Sequence, residues 1–160
     1  MSYNSKKTIS SIIAGATMMA AYAIYALSER SPAPDDIKSW AIAMLIFIGI
    51  SVVAVIAVHI LFHIMLSIGI AVKERAQDEK LVERMIASAQ VEDERDKLVA
   101  MRSARIGYGI SGAGFVAALV ALALGVQVVA ALHIPFAAFA IGSLVEGIVS
   151  VYYYEIGIKQ

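Results

Sequence analysis

Cysteine is absent from these 160 residues, so neither a disulfide nor a thiolate metal site can form. Charge is scarce as well: Asp, Glu, Lys and Arg supply 16% of the chain against 60% hydrophobic residues, with a mean hydropathy of +0.78. An ordinary water-soluble domain carries about 25% charge and an apolar share nearer 45–50%, so that class is excluded. Neither sign of charge dominates, because 13 Lys plus Arg balance 13 Asp plus Glu, and without a basic excess nucleic acid is not an expected partner. Also missing are a Gly-x-Ser-x-Gly nucleophile elbow, a His-Glu-x-x-His zinc helix and a nucleotide loop. No catalytic residue and no cofactor is therefore expected.

What the chain has instead is three long stretches free of Asp, Glu, Lys and Arg: Thr8 to Ser28, Ser39 to Val72, and Ile106 to Val145. A helix crosses the roughly 30 Å hydrocarbon core with about 20 residues, so the first stretch is one span, 8–28. At about 1.5 Å per residue the second reaches roughly 50 Å, which makes it one span, 39–72, that tilts or leaves the bilayer. The third would measure roughly 60 Å as a single helix and has to fold back. Pro135 suits the first turn of a helix and His133 supplies a polar group beside it, which places the reversal at Val128–Pro135. The third and fourth spans then run 106–128 and 135–154. Lys6, Lys7 and the Ala26-Leu27-Ser28 triplet also fit a signal peptide, but the uncharged run exceeds a usual signal core and favours a retained span.

Orientation follows from the basic residues. With the N-terminus inside, eleven Lys and Arg face the cytoplasm and only Arg30 and Lys38 face outward, so both termini are expected to be cytoplasmic in a multi-pass protein of the cell membrane. Trp40 is expected at the outer interface, and Tyr152, Tyr153 and Tyr154 at the inner one. The fold class expected is all-α: a four-transmembrane-helix bundle in the lipid bilayer, with a cytoplasmic helical hairpin between the second and third spans.

That hairpin, residues 73–105, holds sixteen of the 26 charged residues, eight of each sign. Leu81, Val82, Met85, Ile86 and Ala89 recur at helical spacing, as do Leu98 and Met101 after the run Glu92-Asp93-Glu94-Arg95-Asp96, and Asp93 can pair with Lys97 one turn on. The segment reads as a solvated connector, or as a docking surface for a cytoplasmic protein partner through Asp93, Glu94, Arg95 and Asp96. Balanced charge leaves little attraction to anionic lipid.

Within the third span Gly107, Ser111, Gly114, Ala118, Ala121 and Gly125 alternate at four and three residues, a narrow face that lets another helix approach closely. Ser143, Gly147 and Ser150 answer on the fourth span, and Ser11 and Gly15 on the first. Packing within one bundle is the simpler use of these faces, and a homodimer seam the alternative. Glu146 is the one carboxylate well inside a span, costly there unless protonated or paired, which makes it a transport or proton candidate or a carboxyl bonded to Tyr22, Tyr25 or a serine. His59 and His63, one turn apart, could share a metal but need a further ligand, and the depth counted from Trp40 sets His59 nearer the inner boundary than Glu146.

The run Glu92-Asp93-Glu94-Arg95-Asp96-Lys97-Leu98-Val99, then Arg105-Ile106-Gly107-Tyr108, then Val151-Tyr152-Tyr153-Tyr154 resembles a family of small prokaryotic four-span membrane proteins of unknown function. Its members typically carry an Asp-Glu-Arg-Asp-like run before the third span and a Tyr-rich, basic ending after the fourth. The likeness covers roughly residues 91–157, with weaker support from His59. The ending here, Tyr154-Glu155-Ile156-Gly157, departs from the basic pattern. The resemblance implies a topology and no mechanism.

Three functional expectations follow: a non-enzymatic interaction, assembly or regulatory protein acting through its connector; a small proton- or cation-coupled transporter using Glu146; and, with least support, a metal-binding membrane protein through His59 and His63. The cysteine-free chain offers a clean test of the orientation they share. A single cysteine placed at Ser88 should react with an impermeant maleimide only after the membrane is opened, and one placed at Ser31 should react from outside; the reverse pattern inverts the topology.

Overall fold

The computed structural model describes residues 3–74 and 94–157, and every regular element among them is an α-helix. They are α1 (Tyr3–Ala26), α2 (Ile37–Glu74), α3 (Glu94–Ala123) and α4 (Val128–Ile156). All four are long and apolar enough to cross a membrane, α2 over its Ile37–Phe62 portion. The chain is thus a multi-pass membrane protein built as a helical bundle, with successive helices antiparallel. The expected hairpin lies mostly outside the described residues, but its last part does not form a separate limb. Residues 94–105 are the first turns of α3, continuous with the span that follows.

The reversal between the last two spans falls earlier than Pro135. Gly125, at φ 81°, ends α3 in a Schellman turn: Val126 N–H donates to the Ala121 carbonyl at 2.9 Å and Gly125 N–H to the Leu122 carbonyl at 3.0 Å. A side chain at that φ would clash with the backbone, which is why glycine stands there. Gly125 therefore leaves the small-residue face to which its spacing had assigned it. After only four residues the apolar run from Val128 starts α4, so Pro135 sits inside that helix rather than in its first turn. Proline there removes one N–H donor to the carbonyl of residue 131 and crowds that carbonyl, a cost membrane helices tolerate where neighbouring groups and small local adjustments re-satisfy the freed backbone.

The small residues pack α3 on α4. Val99, Ser103, Gly107, Ser111, Gly114 and Ala118 form the buried stripe of α3, and Gly142 is buried opposite on α4. The backbones nearly touch at one crossing. A Cβ built on Gly142 would stand 2.7 Å from the Gly107 carbonyl oxygen and 2.9 Å from Ser111 Oγ, and one built on Gly114 would collide with Ala138. A homodimer through this face would have to displace α4.

Against the other side of α4 lies α1, where a Cβ on Gly147 would meet Ile12 at 2.6 Å and one on Gly15 would meet Leu144 at 3.4 Å. Helix α2 joins through aromatics at its starting end: Tyr22 meets Phe47 at 5.2 Å and Phe136 at 4.3 Å between ring centroids, and Tyr25 meets Trp40 at 6.4 Å. Trp40, in the first turn of α2, is 6% exposed and packs against the bundle. Its indole N–H donates to the Ala33 carbonyl at 3.0 Å, leaving it no need of interfacial water. Asp36 opens α2 by accepting the Ser39 N–H at 3.0 Å, and the bonds from Ser39 hold its carboxyl below the usual range. A depressed value means the cap persists above the ordinary carboxylate range and fails only as pH falls through the lowered one.

Six aliphatic hydroxyls on the spans are satisfied locally, whereas the buried Tyr22 hydroxyl has no partner among the described residues. Thr8, Ser11, Thr17, Ser51, Ser103 and Ser111 each donate to the carbonyl four residues earlier, at 2.7 to 3.3 Å.

The α3–α4 crossing yields a mutational contrast. Gly142→Ala is expected to destabilise the protein in detergent by about 1–3 kcal/mol through overpacking. Gly112→Ala, with nothing within 4 Å of its new Cβ, should be neutral or stabilise by about 0.5–1 kcal/mol. Equal effects in a chemical unfolding series would refute the close approach.

Candidate functional site

Two places hold the polar side chains that lipid does not explain. The first is a cavity of about 620 Å³ walled by α1, α2 and α4. Most of its lining is apolar, with Ile12, Met18, Phe47, Val55, Phe139 and Leu144 among the wall residues. Polar groups enter at Thr8, Ser11, Ser51, Ser143, Tyr22 and His59. The hydroxyl hydrogens of Thr8, Ser11 and Ser51 are already spent on their own helices, so these groups offer lone pairs rather than donors.

Glu146 does not reach this cavity. Its neighbours Ser143, Leu144 and Gly147 line the wall, but its own side chain turns toward α3, where a Cβ on Gly107 would stand 2.8 Å from Oε2. The expected bond to Tyr22 or Tyr25 is not made, because Tyr22 packs on Phe136, ten residues and about 15 Å further along α4. Among the serines, Ser111 on the facing stripe spends its hydroxyl on the Gly107 carbonyl at 3.0 Å. The pocket of the half-buried carboxyl is made by the missing side chain of Gly107.

His59 shares the cavity wall with Gly147, so direction more than depth separates it from Glu146. The side chain of His63 lies outside the described residues. Among the described residues no group of three or more His, Cys, Asp or Glu gathers that could hold a metal ion.

The second place is the end of the bundle where α1 and α3 begin and α4 finishes. Arg95 donates to the carbonyls of Tyr154 at 3.0 Å and Tyr153 at 3.4 Å, bringing one cation to the carbonyls at the C-terminus of α4. Asn4 Nδ2 donates to Asp96 Oδ1 at 3.1 Å, and Ser5 Oγ donates to Glu155 Oε1 at 2.7 Å. Lys97 pairs with Glu94 at 3.1 Å, both exposed. Asp93 lies outside the described residues, so its expected pair with Lys97 does too. Of the four expected docking residues, Arg95 and Asp96 are thus engaged in holding the helices together.

Sequence reasoning passed over Asn4 and Ser5, which carried no pattern of their own, and met Glu155 only as a departure from a basic ending. It also stopped the α3 stripe at Gly107, although Val99 and Ser103 continue it backward at four-residue steps. Neither a family model, nor a curated protein, nor a solved structure matches the chain.

The clasp at the α4 terminus can be weighed directly. Arg95→Ala should loosen the last turn by about 0.5–1 kcal/mol, the usual worth of a cation at a helix C-terminus. Amide exchange at Gly157, whose N–H donates to the Tyr153 carbonyl, should accelerate in proportion, while exchange in the middle of α4 stays as it was.

Proposed function

We propose that this chain is a non-enzymatic protein of the cell membrane, with both termini cytoplasmic, that acts in interaction or assembly by docking a cytoplasmic protein on the charged connector between α2 and α3. The observation that carries this reading is the clasp. Arg95, Asp96, Asn4, Ser5 and Glu155 tie the projecting start of α3 to α1 and α4, so a load on the connector is passed to the bundle. The excess of basic residues at that end supports the cytoplasmic orientation. A proton- or cation-coupled carrier using Glu146 is the rival, and it has less support because that carboxyl turns toward Gly107 and is not among the residues lining the cavity. A metal reading through His59 and His63 has the least.

Replacing residues 76–92 by a Gly/Ser linker of equal length tests the proposal. The variant should insert and melt like the parent, while photo-crosslinks from the connector to a protein partner in intact membranes disappear. Crosslinked adducts that survive the replacement would sink the proposal. For the rival, proteoliposomes carrying the parent and Glu146→Gln should show the same absence of proton-driven flux; flux in the parent that the variant lacks would reverse the order of the two readings.

A further inference from the structure

Among the described residues, the Tyr22 hydroxyl is the buried side-chain polar atom left without a hydrogen-bond partner. Tyr22 is only 7% exposed, and it lines the cavity walled by α1, α2 and α4. A hydroxyl shut away from water and bonded to nothing is costly, so a native position for one asks what completes it. Side chains on a helix lean toward its start, which tilts Tyr22 along the cavity toward Met18. Across the cavity Phe47 meets the Tyr22 ring at 5.2 Å, and Ser51 stands one turn further along the antiparallel α2. Ser51 leans back the other way, giving its hydrogen to the Phe47 carbonyl at 2.7 Å. The two hydroxyls therefore converge on one level of the cavity without bonding to each other.

Their needs are complementary. Tyr22 has a hydrogen to give, and Ser51, its own hydrogen spent, has lone pairs to receive one. A hydroxyl on a ligand meets both, accepting from Tyr22 and donating to Ser51. At Phe47, about 15 Å along the span from Ile37, a phospholipid presents methylenes, which meet neither. The lining holds no Asp, Glu, Lys or Arg, so an ion would find no counter-charge and the ligand is neutral. Tyr22, Phe47, Phe136 and Phe139 share the wall, rings that suit an aromatic body. A volume of about 620 Å³ lies within the range of small-molecule sites. We propose that the cavity binds a small, neutral, lipophilic phenol whose hydroxyl bridges Tyr22 and Ser51.

Photolabelling of the full chain in nanodiscs with para-(trifluoromethyl-diazirinyl)phenol tests this. Labelling should saturate and map to the wall around Met18 and Ser51. At equal membrane concentration, para-tert-butylphenol should compete about tenfold better than tert-butylbenzene, which lacks the hydroxyl. Tyr22→Phe keeps the ring and should weaken the phenol about fivefold while leaving the hydrocarbon as it was. The same change should raise the melting temperature of the unliganded protein, because it removes the orphaned group, an effect that a hydroxyl already satisfied would not show. Ser51→Ala should weaken the phenol to a similar degree. Helical circular dichroism confirms that each variant folds, and the comparison of the two competitors needs the parent alone. Equal competition by the two compounds, undiminished phenol binding in Tyr22→Phe, labelling that rises linearly with probe as bulk lipid would give, or a crosslinked dimer covering the wall around Met18 and Ser51 would each overturn the proposal.

Discussion

The contact on which the bundle depends is the near-touching of two backbones at Gly107 and Gly142. Lipid tails are as apolar as leucine, so helices in a bilayer gain nothing by hiding hydrophobic surface from water and must associate by close packing. Glycine on both partners brings the carbonyl of one helix against the Cα of the other, and dispersion along the two stripes does the rest. Because α3 packs on α4 in this way, α4 becomes the central column, and α1 is laid against its other flank at Gly147 and Leu144. The same crossing makes the niche of Glu146, since any side chain at residue 107 would occupy the space its carboxyl fills.

The polar chemistry of the chain divides along that column. One flank of α4 carries Glu146 toward α3, and the other opens on an apolar cavity bounded by α1 and α2. The two do not communicate through any lining residue, so a carrier mechanism linking them would need a rearrangement of α4 itself. At the end of the column the terminal carbonyls of Tyr153 and Tyr154 receive a guanidinium from α3, which makes the charged start of that helix part of the scaffold.

The four spans were legible in the residues because the feature that marks them, a long absence of charge, is the same feature that lipid requires. The boundaries were less so. Gly125 continues the small-residue spacing of α3, and nothing in one sequence separates a glycine that lets a helix approach from a glycine that ends a helix with positive φ. That ambiguity displaced the reversal toward Pro135. Trp40 carries a composition signal for an interface, yet the carbonyl of Ala33, seven residues earlier, satisfies its N–H and lets it turn inward. The clasp was beyond reach for a different reason: Arg95 and the carbonyls it caps are 58 and 59 residues apart, and a capping carbonyl has no residue type to recognise.

The local hydrogen bonding of the hydroxyls bears on how such a molecule is made. Since Thr8, Ser11, Thr17, Ser51, Ser103 and Ser111 are quenched by their own helices, each segment can leave the translocation machinery and rest in the membrane as an independent rod, before any neighbour has arrived. Maturation is then lateral diffusion followed by pairing in the plane. Glu146 and the Tyr22 hydroxyl are exceptions, polar groups that no turn of their own helices accommodates, and for Glu146 the pairing of α3 with α4 is the step at which it withdraws from surrounding acyl chains. The order of synthesis, with α3 already in place when α4 emerges, makes that interval short.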